Sequence, residues 1–222
     1  MTLQDSGRGL GSLSALLRDG LQSLDITAAE HDQVVARYSA LGQVFDDHWS
    51  GTRGDNVISP QGSFLLGTVV RNIHRDDDID IDMVALRDVE KTTLTQSDLK
   101  LDAGIPVRKF ADTGGYGNPT VSECHRCWTL QWPGMHLDLL PAIPDRDSGR
   151  DGILITDKDV RRWLPSNPAG YATWFRRRMH DQFVTERARV ALAKRLQIDD
   201  VPDRDVKTTL QQAVQALKRH RD

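Results

Sequence analysis

The hydrophobic positions along the chain follow two spacings, which predicts a protein built from both helices and strands. Between residues 34 and 49 the apolar side chains recur at steps of three and four, the period of a helix that buries one stripe. Thr27 and Glu30 lie just before that stripe with the spacing of a capping box, so we expect the helix to begin there. A similar pattern predicts a shorter helix at residues 13–24.

A period of two replaces this pattern in the middle of the chain. Residues 78–86 read DIDIDMVAL, so from Asp80 onward we expect a strand with its acidic side chains on one face. The apolar runs at residues 127–132 and 136–140 are separated by Pro133 and Gly134, which predicts an antiparallel pair that ends at Pro141. Residues 57–59 and 153–156 are further short strand candidates.

Four more helices and a long loop complete the predicted order. Gly62 and Ser63 open a helical run at residues 64–70, and a helix near 95–101 precedes the loop. Asn167 and Pro168 predict the start of a long helix that Pro202 breaks. Its predicted buried residues are Tyr171, Trp174, Phe175, Phe183 and Val190. A last helix at residues 208–222 is predicted to bury Leu210, Val214 and Leu217.

Composition places the chain among soluble globular proteins. Its 222 residues are 38% hydrophobic and 27% charged, with a formal net charge of -3, and no run of about 18 apolar residues or secretory leader is present. We therefore expect a cytoplasmic protein without a membrane partner. Cys124 and Cys127, three residues apart, are too few for a disulfide scaffold or a four-ligand zinc site, so we interpret them as buried strand cysteines.

Three aspartates carry the strongest chemical signal. Asp80 and Asp82 project from one face of a strand, about 6–7 Å apart, close enough to share hard cations such as Mg²⁺. Asp138 lies among aliphatic residues of another strand, where a charge without a partner would be costly. Carboxylates on neighbouring strands can hold two metal ions for in-line displacement at phosphorus. The alternative for the acidic run is a charged edge strand that resists aggregation.

Gly62 and Ser63 precede the aspartates as a candidate phosphate site. Free backbone N–H groups at the start of a helix attract phosphate, and glycine permits its close approach, although a serine there is also an ordinary helix cap. The combination of this turn with the aspartates favours phosphate chemistry over either feature alone.

These motifs resemble the polymerase-beta-type nucleotidyltransferases and, more narrowly, the bacterial cGAS/DncV-like nucleotidyltransferases. The segments that carry the resemblance are QGSFLLGT, DIDIDMV, HLDLLPAIPD, SNPAGYATWF and LQQAVQALKRHRD, which run from Gln61 to the last residue. The resemblance implies an α/β (α+β) fold with a mixed sheet flanked by helices. It divides the chain into N-terminal helices and catalytic core at residues 1–160 and a helical second lobe at 161–222, which we expect to be truncated.

The resemblance also implies a site and a reaction. Asp80, Asp82 and Asp138 would be the catalytic residues and would ligate two Mg²⁺ ions, or Mn²⁺ in their place. The residues expected to bind the nucleotide are Gln61, Gly62, Ser63 and Lys218. The substrates would be nucleoside triphosphates, including ATP. The product would be a cyclic di- or trinucleotide second messenger, read by a separate effector in bacterial anti-phage (CBASS) signalling.

Several alternatives stay open at this point. The acidic run includes Asp78, so the metal-binding pair could be Asp78 and Asp80 instead of Asp80 and Asp82. The chain could instead transfer a nucleotide to a protein, an antibiotic or an RNA end, or bind nucleotides without turnover. Arg176, Arg177 and Arg178 point in different directions on a helix, so they do not indicate nucleic-acid binding. The sequence does not indicate an oligomeric state.

Overall fold

The computed structural model of the protein describes residues 20–49, 57–72, 74, 77–149 and 151–221. Most of the helix predicted at residues 13–24 lies outside these ranges; its described end, residues 20–22, is helical. Among the described residues, no helix combines the length and the apolar character needed to cross a membrane.

Five helices occur in the described ranges. They are α1 (Ala28–His48), α2 (Gly62–Leu66), α3 (Gln96–Asp112), α4 (Pro168–Lys194) and α5 (Thr209–Arg221). The predicted capping box is confirmed, because the Thr27 side chain accepts from the Glu30 backbone and the Glu30 side chain accepts from the Thr27 backbone. Asn167 caps α4 with Pro168 in its first turn, as predicted. Two short 3-10 turns, Ile198–Asp200 and Asp203–Asp205, lie between α4 and α5.

Within the part of the chain that the structure describes, seven strands form one mixed sheet. They are β1 (Ile58–Pro60), β2 (Ile79–Leu86), β3 (Thr120–Glu123), β4 (Trp128–Trp132), β5 (Met135–Pro144), β6 (Ile153–Ile155) and β7 (Leu164–Ser166). The order is β1-β2-β5-β4-β3, and β6 pairs with the end of β5 and with β7. Only β2 and β5 are parallel among these pairs; the others are antiparallel. The predicted pair of β4 and β5 is confirmed, as is the mixed sheet flanked by helices.

The main core lies between the sheet and the helices α1 and α3. Fully buried side chains from strands β2 and β5 and from both helices meet there. They include Leu41, Phe45, Ile81, Met83, Leu99, Val107, Leu137 and Leu139. Trp128 is buried in the same cluster, and its indole N–H donates to the Lys100 carbonyl of α3 at 2.8 Å. Because this core packs against β2 and β5, it fixes the two strands that carry the candidate aspartates.

Several predicted boundaries are wrong, and tertiary packing explains the largest error. Helix α3 runs through Gly104 and Pro106 to Asp112, whereas the predicted helix ends near residue 101 and is followed by a loop. Its buried residues Leu99, Ala103, Val107 and Phe110 recur at helical spacing, and burial of this stripe outweighs the local turn preferences. The sequence patterns do not predict strand β3. Strand β5 continues past Pro141 to Pro144, and α4 ends at Lys194, well before Pro202.

Some residues predicted to be buried face solvent. Tyr171 is 54% exposed, Trp174 is 49% exposed and Leu217 is 69% exposed, whereas only Phe175 of the residues predicted for α4 is fully buried. Phe183, Val190, Leu210 and Val214 are half-buried. The cysteines also differ from expectation: Cys124 and Cys127 are half-buried in the turn between β3 and β4.

The core makes a matched prediction within α3. Leu99 is fully buried, whereas Leu101 on the same helix is 59% exposed. We expect Leu99→Ala to lower the free energy of unfolding by about 2–5 kcal/mol, because it leaves a cavity in the core. Leu101→Ala should change it by less than about 0.5 kcal/mol. Urea denaturation followed by circular dichroism measures both, and equal effects would contradict the packing described.

Candidate active site

The parallel pairing of β2 with β5 brings the predicted aspartates together. Asp82 is the register partner of Asp138, and Asp80 is the register partner of His136. Register partners on adjacent strands lie about 5 Å apart and project to the same face. Asp80 and Asp82 are two residues apart and share that face as well. The four side chains therefore form one cluster on one side of the sheet.

The charges of this cluster act on one another. Burial, together with the neighbouring carboxylates of Asp80 and Asp138, raises the pKa of Asp82 to about 6. A hydrogen bond from His136, whose Nε2 lies 3.1 Å from Asp80 Oδ1, lowers the pKa of Asp80. The same bond raises the pKa of His136. At Asp82, burial and the neighbouring carboxylates thus outweigh the attraction of Lys218 and His136.

Asp138 is oriented from the neighbouring strand. Thr129 is its register partner on β4, and the Thr129 hydroxyl donates a short hydrogen bond to Asp138 Oδ1. The Cys127 thiol lies nearby, and burial together with the charge of Asp138 raises its pKa to about 12. Cys127 therefore stays a neutral thiol at ordinary pH and is not a nucleophile.

The donor set suits a hard divalent cation, although the side chains have other partners as placed. Within the described part of the chain, no three His, Cys, Asp or Glu side chains stand close enough together to hold a metal ion. The carboxylates of Asp80 and Asp138 instead pair with His136 and Thr129. Burial and the neighbouring carboxylates make the negative charge of Asp82 costly, as its raised pKa indicates, and a cation bound there would offset that cost. On this ground the residues fit Mg²⁺.

The predicted phosphate turn lies directly against the metal-ligand candidates. The Gln61 backbone N–H donates to the Asp82 carbonyl at 2.9 Å, which fixes the start of α2 beside β2. Gly62 adopts a positive φ of 55°, and a Cβ at that position would overlap the Asp82 carboxylate. Only glycine satisfies both conditions. Ser63 follows as a residue that is only 9% exposed.

Two cavities flank the aspartates. One, of about 310 Å³, is lined by Ser63, Asp80 and Lys218, among others. The other, of about 380 Å³, is lined by Gln61, Gly62, Asp82 and Tyr171, among others. Lys218 projects from α5 and acts electrostatically on both Asp80 and Asp82. Apart from Asp138, which lines neither of them, the sequence-predicted residues are therefore divided between two adjoining cavities, each with a β2 aspartate in its lining.

Asp78, the alternative metal ligand, has a different setting. It precedes β2, and its carboxylate accepts from Gln131 Nε2 at 2.9 Å and lies 3.8 Å from His136 Nδ1. These contacts hold Asp78 beside strands β4 and β5. Asp78 is not the register partner of Asp138. This arrangement favours Asp80 and Asp82 as the pair.

His136 and Thr129 are not among the residues predicted from the sequence. His136 lies two residues before Asp138 in the same strand, so period-two alternation alone would have placed it on the face of the aspartates. Thr129 had no such signal, because its role depends on the register between β4 and β5.

Comparison with known proteins identifies the family of the chain. Residues 12–178 match the model of the Second Messenger Oligonucleotide or Dinucleotide Synthetase domain. The chain belongs to this synthetase family. The match covers α1, the sheet and the first part of α4, and so includes the three aspartates and the glycine-serine turn.

Individual relatives support the same fold. The cyclic dinucleotide synthase CdnG of Bradyrhizobium diazoefficiens is 26% identical over 231 residues, covering 95% of this chain and 53% of that protein. Its structure in complex with GTP is similar to this chain with a TM-score of 0.71 at 22% identity, over 94% of this chain and 63% of that one.

A more distant relative has the same fold. The Vibrio cholerae DncV cyclic AMP-GMP synthase, solved with a linear intermediate, matches with a TM-score of 0.55 at 14% identity, over 72% of this chain and 58% of that one. The chain spans about half the length of CdnG, the curated relative that it matches.

The raised pKa of Asp82 predicts a pH-dependent metal affinity. In the folded protein its pKa of about 6 lies above the ordinary 3.8. Protonation of Asp82 therefore stabilises the folded protein fully below pH 3.8, and this stabilisation is lost as the pH rises through 6. A cation requires the deprotonated form, so the apparent Mn²⁺ affinity should fall about tenfold per pH unit below pH 6. Titration calorimetry at pH 5, 6 and 7 measures it. An affinity equal at pH 5 and 7 would count against Asp82 as a ligand.

Matched substitutions separate the two possible aspartate pairs. We expect Asp82→Asn to weaken Mn²⁺ binding by about tenfold or more, because it removes a ligand oxygen opposite Asp138. Asp78→Asn should change the affinity by less than about threefold, because Gln131 and His136 hold that side chain. Electron paramagnetic resonance of free Mn²⁺ gives both affinities. The reverse ranking would assign the site to Asp78 and Asp80.

Proposed function

We propose that this chain is the catalytic part of a magnesium-dependent nucleotidyltransferase that joins nucleoside triphosphates into a cyclic di- or trinucleotide. The observation that supports it most directly is the pairing of Asp82 with Asp138 on parallel strands, with Asp80 on the same face. Carboxylates in this arrangement beside Lys218 suit displacement at phosphorus. Membership of the synthetase family supports the same reaction class.

The three aspartates would hold two Mg²⁺ ions, which supply charge neutralisation at the reacting phosphate and align the attacking and leaving oxygens. Lys218 and Ser63 line the cavity that would receive the triphosphate, where the ammonium of Lys218 offsets phosphate charge. Gln61 lines the adjoining cavity, which would receive the rest of the nucleotide.

Asp138 is the proposed proton acceptor. The ribose hydroxyl of one nucleotide forms a bond to the α-phosphorus of another, the bond from that phosphorus to pyrophosphate breaks, and the hydroxyl proton passes to the Asp138 carboxylate. The Thr129 hydroxyl occupies Oδ1 of Asp138, which leaves Oδ2 to take the proton. A second round of the same reaction between the ends of the linear product closes the ring.

The relatives suggest substrates and a biological role. The CdnG structure was solved with GTP, so we propose GTP as one substrate of this chain. A cyclic product would act as a second messenger for a separate effector, in bacterial defence against phage, as the family resemblance implies. The proposed setting is the cytoplasm, where nucleoside triphosphates are available.

The proposal predicts metal-dependent product from nucleoside triphosphates. Incubation with all four triphosphates and Mg²⁺ should release pyrophosphate and leave a phosphatase-resistant product, identified by mass spectrometry. We expect Asp82→Asn to lower the rate by at least about a hundredfold, because a metal ligand is lost. Asp151, which lies outside the site, supplies the control substitution Asp151→Asn.

The outcomes distinguish the alternatives. A phosphatase-resistant product in the wild type and the control, absent from Asp82→Asn, supports the synthase. Label that transfers only to an added protein, antibiotic or RNA would indicate a different nucleotidyltransferase. Thermal stabilisation by triphosphate without pyrophosphate release, in this chain and in a version as long as CdnG, would indicate a binding module.

A further inference from the structure

The buried face of α5 is polar, contrary to its hydrophobic pattern. Leu217, predicted to be buried, is 69% exposed, whereas Gln211 is 4% exposed and Gln215 is fully buried. Glutamine is rarely buried unless its amide makes hydrogen bonds, and its desolvation must be offset by them. The partners of these two amides therefore show what the helix does.

Both amides donate to backbone carbonyls of the segment that leaves the phosphate turn, and Gln215 Nε2 also donates to Asp25 Oδ1 at 2.8 Å. Gln211 Nε2 donates to the Leu66 carbonyl at 3.0 Å, and Gln215 Nε2 donates to the Val69 carbonyl at 2.8 Å. Between them, Lys207 Nζ donates to the Gly67 carbonyl at 2.8 Å. Three side chains around α5 thus hold three carbonyls of residues 66–69.

The short helix α2 depends on such outside donors. It contains only five residues, and the last four carbonyls of any helix lack partners within it. Thr68 and Gly67 donate back to Ser63 and Phe64, which satisfies carbonyls nearer the start of the helix. The Leu66 carbonyl is satisfied by Gln211 from the other lobe.

Helix α2 is held between contacts at its two ends. At its start, a Cβ on Gly62 would overlap the Asp82 carboxylate. At its end, Gly67 has a φ of 66°, and a Cβ there would lie 2.7 Å from Gln211 Nε2. Because each end of α2 is in close contact with another element, a displacement of the end beside Gln211 also moves Gly62 and Ser63 relative to Asp82.

Gln211 is itself fixed in orientation. Its Oε1 accepts from the Thr208 backbone at 2.9 Å and from the Thr208 hydroxyl at 3.1 Å, and Thr208 is fully buried. These bonds direct the Nε2 donor toward Leu66. The same helix carries Lys218 into the cavity that Ser63 and Asp80 line.

We propose that Gln211 is a positioning residue: it holds α2 against Asp82, so that docking of α5 sets the phosphate turn and delivers Lys218 in one step. Lys207 supports the same segment. This inference rests on the proposed function, because it assigns the Gly62–Ser63 turn and Lys218 to one triphosphate.

The substitution Gln211→Glu replaces the Nε2 donor with a carboxylate oxygen. Glutamate has nearly the same shape and keeps the oxygen that accepts from Thr208, but it cannot donate to the Leu66 carbonyl. Gln212→Glu is the matched control, with the same charge change on the same helix. Among the described residues, the Gln212 side chain makes no hydrogen bond.

We expect Gln211→Glu to raise the KM for nucleoside triphosphate about tenfold, with a smaller fall in kcat, at a temperature where circular dichroism shows all variants folded. Gln212→Glu should change KM by less than twofold. A purely structural role would lower the melting temperature and the amount of active protein but leave KM unchanged. An unchanged KM in Gln211→Glu would overturn the proposal.

Hydrogen exchange supplies a readout that does not depend on activity. In Gln211→Glu, the Thr68 amide, which donates to Ser63, should exchange about tenfold faster, while amides of β4 keep the wild-type rate. If Gln211→Glu does not fold, Lys207→Met should show the same local increase. In the wild type, the free energy of the opening that exposes the Thr68 amide should depend on urea concentration in the same way as that of the α5 amides. A different dependence would contradict the coupling between α5 and α2.

These measurements separate the two proposals. If the wild type neither binds nor turns over triphosphate, the proposed function fails, while the exchange rate of Thr68 still decides whether Gln211 positions α2. If the wild type is active and both KM and Thr68 exchange are unaffected by Gln211→Glu, only the positioning role fails.

Discussion

Repulsion among carboxylates on two parallel strands is the constraint on which the site depends. The β2–β5 pairing aligns Asp82 with Asp138 and places Asp80 beside them. Each partly buried charge makes the next one more costly, which the raised pKa of Asp82 records. The strands tolerate this cost because a large apolar core holds them from behind.

The neighbouring polar residues relieve the repulsion only in part. His136 pairs with Asp80, and Thr129 donates to Asp138, so two of the three aspartates have a fixed partner. Asp82 does not share in these bonds, and the backbone of Gly62 closes over its carboxylate. A divalent cation would offset the negative charge that these neighbours leave on the cluster. The cluster is therefore better suited to metal-assisted chemistry than to a structural role.

Helix α5 holds the segment after the phosphate turn and also supplies the charge of Lys218. Helix α5 does not dock through an apolar stripe; it docks through glutamine amides that bond to the chain between α2 and β2. Directional bonds of this kind fix position more tightly than apolar contact, because a shift of a few tenths of an ångström weakens them. Lys218 and the phosphate turn are thereby linked through one rigid connection.

The sequence by itself determined the elements whose signals are local. The capping box at Thr27, the strand alternation around Asp80 and Asp82, and the Asn167–Pro168 helix start all follow from short-range preferences, and each is present in the fold. Only the tertiary structure decided the length of α3, the register that sets Asp82 opposite Asp138, and the burial of Gln211 instead of Leu217. These depend on which distant segment each residue meets, and hydrophobic spacing identifies a face without identifying its partner.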